Sequence, residues 1–173
     1  LYQAIPVFAD ISPDTLCICP EDIKRKITEK TKAIIGVNIY GHNADWNSIN
    51  SIAKERGIKT IEDASQSIGG IYKGKKSGTN ADIGVYSLNR HKHIHCGEGG
   101  VCVTNDKDLS IRLSLIRNHG EAVVDDMGIS NISGILGFNF RMTEIEASIA
   151  NQQLKKLNYC LLYTSPSPRD RIS

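Results

Sequence analysis

Asp82-Ile83-Gly84-Val85-Tyr86-Ser87-Leu88-Asn89-Arg90-His91-Lys92-His93-Ile94-His95-Cys96-Gly97-Glu98-Gly99-Gly100-Val101-Cys102-Val103 is the stretch that decides how this chain folds. Its opening, residues 83–87, reads as a short buried strand, and residues 100–104 read as a second. Both are apolar and rich in β-branched side chains. Between them runs a polar crossing that wedges Lys92 among His91, His93 and His95 and ends in Gly97-Glu98-Gly99-Gly100. A loop leaving a strand end with a hemmed-in amine, followed by glycines that permit close backbone approach, is a place that can house chemistry.

Working outward, residues 4–10 suggest an entering or edge strand, because Pro6 cannot donate within a central ladder. Pro13-Asp14 marks a turn. Pro20-Glu21-Asp22 suits a first helical turn, with proline where no amide partner is needed and acids at the positive dipole end. That helix is predicted to run to about Ile27. Residues 33–39 read as a buried strand ending at Gly41. Asp45 is placed to cap a second helix, with Trp46, Ile49, Ile52 and Ala53 at helical spacing and Gly57 at its close. Residues 58–61 form the next strand, terminated by Glu62-Asp63, and residues 72–76 a solvated turn.

Downstream, Asp106 caps a helix with Leu109, Leu113 and Ile116 on one face. Residues 121–137 read as a mobile loop. An amphipathic helix follows from about Thr143 to Leu157, carrying Ile145, Ile149, Gln153 and Leu157 as a core or dimer-packing face. Strands alternating with helices at these spacings predict an α/β fold with a mainly parallel sheet and flanking helices. Residues 1–158 are read as one partial large domain. From Tyr159 the chain moves into Thr-Ser-Pro-Ser-Pro-Arg-Asp-Arg, and residues 159–173 are read as a tail that is disordered or foreign to the natural protein.

The composition is that of a globular protein: 173 residues, 40% hydrophobic and 23% charged. A formal net charge of +2 without a dense basic cluster argues against a nucleic-acid surface. No apolar run approaches a membrane span, and no leader opens the chain, whose natural start is expected upstream of Leu1. Cys17, Cys19, Cys96, Cys102 and Cys160 form an irregular set, read as free thiols in a reducing cytoplasm. Cys102, on an apolar strand, is expected in the core. Cys17 and Cys19 lie too close for zinc spacing. On a strand, His91, His93 and His95 would present three imidazoles beside Cys96, which makes a metal site a rival reading. On a loop they serve as polar contacts; this reading is preferred, and no metal is expected.

In a parallel sheet, ligands sit beyond the carboxyl ends of the strands. Asp63 lies at one such end, and Ser87 and Lys92 lie just past another. A buried amine can condense with an aldehyde cofactor, provided its neutral form is accessible. A carboxylate can hold a pyridine nitrogen protonated, and a hydroxyl with rim amides can hold a phosphate. Singly, each has an ordinary explanation: a solvated charge for the lysine, a turn or cap for the aspartate. On chemistry alone pyridoxal phosphate is one candidate among several.

Specificity comes from a series of motifs in order. They are Ile61-Glu62-Asp63-Ala64-Ser65-Gln66-Ser67-Ile68-Gly69-Gly70, then Gly78-Thr79, then residues 82–87, then Lys92 ahead of Gly97-Glu98-Gly99-Gly100. Tyr40-Gly41-His42 precedes them; Arg117-Asn118-His119-Gly120 and residues 137–144 (Gly-Phe-Asn-Phe-Arg-Met-Thr-Glu) follow. The series, over about Ile5 to Asn158, resembles the core of the DegT/DnrJ/StrS sugar aminotransferases, pyridoxal 5'-phosphate enzymes of fold type I.

The resemblance implies that Lys92 carries the cofactor covalently and shuttles a proton. It implies that Asp63 partners the pyridine nitrogen, Gln66 lies near the ring's 3-hydroxyl and Ser87 is a phosphate ligand. Asn139 would reach the phosphate of the other subunit's cofactor, which implies a homodimer with shared active sites. Family members transfer an amino group, usually from glutamate, to a keto group of a nucleotide-linked sugar, for polysaccharides, glycoproteins and antibiotics. Leu88 and Ser65 are mild departures, standing where an aromatic and an alanine are frequent. A glycine- and hydroxyl-rich phosphate cup would precede Leu1, and a small C-terminal domain would follow Asn158. Relatives that deoxygenate sugars carry histidine in place of Lys92. Relatives that look like regulators without turnover are the remaining alternative.

Overall fold

The computed structural model describes residues 3–121 and 135–163. Most of the loop expected over residues 121–137, and the tail after residue 163, lie outside the described residues. The chain divides into two compact units, residues 1–86 with 103–105 and residues 87–102 with 106–173.

The first unit is built from α1 (Pro20–Lys26), β1 (Ala33–Val37), α2 (Trp46–Arg56), β2 (Lys59–Asp63), the hairpin β3 (Ile71–Tyr72) and β4 (Lys75–Lys76), and most of β5 (Ile83–Ser87). β1, β2 and β5 run parallel, with Ile35, Ile61 and Ile83 in one row and Val37, Asp63 and Val85 in the next. The sheet order is β1-β2-β5-β6, with β6 (Gly100–Val103) outermost.

α2 starts where Asp45 accepts from Ser48 N–H at 3.3 Å and ends where Gly57 turns left-handed at φ 63°. Its buried face is Trp46, Ile49, Ile52 and Ala53, packed with Ile23, Ile34 and Ile58. Full burial of Ile49 contributes about 1.5–3 kcal/mol. A side chain at Gly36 would meet the Trp46 ring at 2.8 Å, so β1 carries glycine where the indole crosses it. Because strand side chains alternate, Ile34, Thr60 and Glu62 face this core while Ile35, Ile61 and Asp63 face away.

The second unit holds the crossing after β5, α3 (Lys107–Arg117), α4 (Glu144–Leu154) and α5 (Leu157–Tyr163). Asp106 caps α3 by accepting from Asp108 and Leu109 N–H. α4 opens with a capping box. Glu146 N–H donates to Thr143, and the Glu146 carboxylate accepts from Thr143 N–H at 2.9 Å, which holds that carboxyl below its usual range.

Several expectations from sequence need correction. Residues 4–10 form no strand; Ile5, Val7 and Phe8 are exposed, and the nearest pairing is an isolated bridge from Ile11 to Ile18. β-propensity there has no ladder partner among the described residues. The solvated turn expected at residues 72–76 is present, and it closes a hairpin whose two-residue loop is Lys73 at φ 46° and Gly74 at φ 85°. α3 buries Ile111 and Leu115, while Leu109, Leu113 and Ile116 are only half-buried. Cys102 is exposed because β6 is an outermost strand with little over it. The long helix from Thr143 stops at Leu154, and a turn at Lys155-Lys156 separates it from α5. Among the described residues no helix is long and apolar enough to cross a membrane.

Candidate active site

Asp63 is the last residue of β2 and half-buried. Its Oδ1 accepts from Ser65 N–H at 2.9 Å, closing the turn that follows the strand. Its Oδ2 takes no hydrogen bond among the described residues, and its backbone carbonyl accepts from Asn38 N–H at 3.0 Å. Gln66, exposed in the same turn, accepts from Tyr40 N–H at 2.8 Å through Oε1. Tyr40 is a non-glycine residue held left-handed at φ 50°, directly before Gly41 at φ 87°.

Ser87 ends β5, half-buried, its Oγ accepting from Asn89 N–H at 3.3 Å. From there residues 88–99 fold back on themselves: Leu88 N–H donates to Gly99 O at 2.8 Å, Arg90 N–H to Gly97 O at 2.8 Å and Cys96 N–H to Leu88 O at 3.0 Å. Ile94 and Cys96 are buried as its anchor, and burial raises the Cys96 thiol pKa. At the tip, Lys92 N–H donates to Asn89 O at 2.9 Å. The Lys92 side chain is half-buried, and among the described residues Nζ has no hydrogen-bond or ion-pair partner. His91 accepts from Arg90 Nε at 3.2 Å. No group of three or more metal-capable side chains occurs among the described residues.

Asn139 is exposed and its backbone is bridged to Asn118, with Phe138 stacked on Phe140 at 5.0 Å beside it. Asp63 and Gln66 thus share a turn of the first unit, Ser87 and Lys92 a loop of the second, and Asn139 stands on a separate bridge of the second.

Sequence reasoning missed a polar cluster behind the Asp63 turn. Asn38, Glu62, Ser67 and Ser77 are all buried. Glu62 accepts from Asn38 Nδ2 at 2.7 Å, Asn80 N–H at 2.7 Å and Asn80 Nδ2 at 3.2 Å. The available signal was alternation: in a strand ending Glu62-Asp63, one of the two acids has to face the core.

Comparison with known proteins identifies the family. The model of the DegT/DnrJ/EryC1/StrS aminotransferase family matches residues 1–162. The GDP-perosamine synthase of Escherichia coli O157:H7 is 41% identical over 153 residues, 88% of this chain and 41% of that protein. The L-glutamine:2-deoxy-scyllo-inosose aminotransferase of Streptomyces fradiae is 35% identical over 162 residues, 90% of this chain and 38% of that protein. The solved E. coli GDP-4-keto-6-deoxy-D-mannose-3-dehydratase, with bound hydrated PLP, superposes with a TM-score of 0.74 at 32% identity, over 87% of this chain and 42% of that one. The chain therefore spans about two fifths of the length of the proteins it matches. With residues 1–162 matched and the parallel α/β sheet in place, the chain belongs to the DegT/DnrJ/EryC1/StrS aminotransferase family.

Proposed function

We propose that the full-length protein uses pyridoxal 5'-phosphate to transfer an amino group from glutamate to a keto group of a nucleotide-linked sugar, for polysaccharide or glycoconjugate assembly. The observation that carries this is Lys92, a half-buried amine without a protein partner among the described residues, on the loop after β5. β5 is the parallel neighbour of β2, the strand that ends in Asp63.

Each candidate residue keeps a donor or an acceptor for the cofactor. When bound, it supplies an aldehyde carbon and a ring that stores electrons. Asp63 Oδ1 is occupied by Ser65 N–H, which leaves Oδ2 to accept from the pyridine N–H and keep that nitrogen protonated. Gln66 has its Oε1 occupied by Tyr40 N–H, so its NH2 is left to donate to the ring's 3-oxygen. Ser87 Oγ already accepts from Asn89 N–H, so its own proton is free to go to the phosphate. Lys92 Nζ would hold the cofactor through its aldehyde carbon, with loss of water, and, once an incoming amine has released it, would in its neutral form take and return one proton. The exposed Asn139 would serve the phosphate of a second subunit, giving a homodimer with shared active sites.

The E. coli relative's name specifies a GDP-linked sugar, and this supports a nucleotide-linked acceptor. The Streptomyces relative names a different acceptor and glutamine as donor, so both choices need direct measurement. Full-length protein incubated with glutamate and a panel of nucleotide-linked keto sugars should form 2-oxoglutarate beyond one equivalent per active site only when a keto sugar is present. Lys92→Ala should reduce the rate by roughly 10²–10⁴ or more. Cofactor binding without turnover on any sugar would instead indicate a regulatory member of the family.

A further inference from the structure

Asn38 and Glu62 are both 0% exposed. Glu62 has no basic partner among the described residues, and all of its contacts come from N–H donors on Asn38 and Asn80. The orientation of the Asn38 amide is set independently. Its Oδ1 accepts from Ala44 N–H at 3.1 Å and Trp46 Nε1–H at 3.0 Å, groups that can only donate. Its NH2 is thereby directed at Glu62, Ser67 Oγ (3.1 Å) and Asn43 Oδ1 (3.2 Å).

The same short segment grips the turn that carries the proposed ring contacts. Asn38 N–H holds the Asp63 carbonyl, the Asn38 side chain holds Glu62 and Ser67 on either side, and Tyr40 N–H holds Gln66. We infer that Asn38 and Glu62 are a positioning pair that fixes the Asp63 carboxylate and the Gln66 amide for the cofactor ring. This rests on the function proposed above. Neither side chain needs to touch the cofactor: a buried acid deprived of its donor forces residues 62–67 to shift, and small misplacements near the chemistry are costly.

The test exchanges donor and acceptor. Asn38→Asp sets two buried carboxylates against each other. Glu62→Gln leaves NH2 facing N–H whichever way the amide turns. In the double variant N38D/E62Q, the Gln NH2 donates to the new carboxylate and its oxygen accepts from Asn80 N–H, while the Asn80 Nδ2 and Asn43 Oδ1 contacts lose their matching partners. The other new carboxylate oxygen keeps Ala44 and Trp46. The readouts are the pH midpoint of the absorption band of pyridoxal phosphate bound to the full-length protein, and the cofactor dissociation constant.

Each single variant should move the midpoint by about one unit and weaken retention roughly tenfold. The double variant should recover both in part, since it restores the contact between positions 38 and 62 but not those with Asn43 Oδ1 and Asn80 Nδ2. Single variants that unfold more easily but titrate as wild type would overturn the inference, because a merely structural pair lowers stability without moving the band. A double variant whose midpoint lies no nearer the wild-type value than those of the single variants would overturn it too. Should the single variants fail to fold, Ser67→Ala, which removes only one Asn38 contact and changes no charge, should shift the midpoint by less than one unit; no shift counts against the pair. If wild-type protein shows no lysine-linked band at all, the proposed function fails and this inference fails with it.

Discussion

Asp22 shows how a single acid secures the start of the first unit. It is buried, yet Asp10 N–H at 2.6 Å, then Lys26 and Arg25, hold its carboxyl well below the ordinary carboxylate range. A depressed folded-state value stabilises the fold at any pH above the unfolded carboxyl value, about 3.9. That stabilisation drains away as pH falls below it. Urea midpoints of wild-type protein should therefore drop more steeply below about pH 4 than those of Asp22→Asn; parallel curves would show that the contacts contribute nothing. Individual residues were unevenly legible. Asp63 and Lys92 each had an ordinary reading alone, as a turn acid and a solvated charge, and became candidates only through the ordered motifs around them. Glu62 did not, since a core-facing acid looks the same as a solvated one until its partners Asn38 and Asn80, far apart in the chain, are brought to it.

Secondary-structure elements were more readable where chemistry and periodicity agreed. α2 has its cap, apolar stripe and closing glycine where sequence put them, because all three are local. The strand expected over residues 4–10 failed for the opposite reason: pairing is non-local, and apolar residues without a neighbouring edge stay exposed. β5 depends on a close approach that no propensity reveals. A side chain at Gly84 would collide with the Gly78 carbonyl, while Tyr86 OH donates to Ser77 O at 2.6 Å nearby. Gly84→Ala should therefore lower stability by about 1–3 kcal/mol, read as a lower urea midpoint. An unchanged midpoint would mean that residues 77–79 give way freely.

For the whole molecule, the mainly parallel sheet was the most legible feature, since alternating strands and helices admit few other arrangements. Exposure of one sheet face was not. Parallel strands are normally covered on both sides, yet Ile35 is 59% and Val37 36% exposed on the face that also bears Asp63. The 173-residue chain expressed alone should bind an apolar fluorescent dye. Ile35→Glu should reduce that signal, and equal signals would place the dye elsewhere.

The central claim is that Lys92 carries the cofactor, and borohydride trapping tests it most directly. Full-length protein loaded with pyridoxal 5'-phosphate, reduced and digested, should yield a stoichiometric adduct on the peptide containing Lys92. An adduct spread over exposed lysines such as Lys73, Lys75 and Lys76, or found on any single residue other than Lys92, would contradict the account.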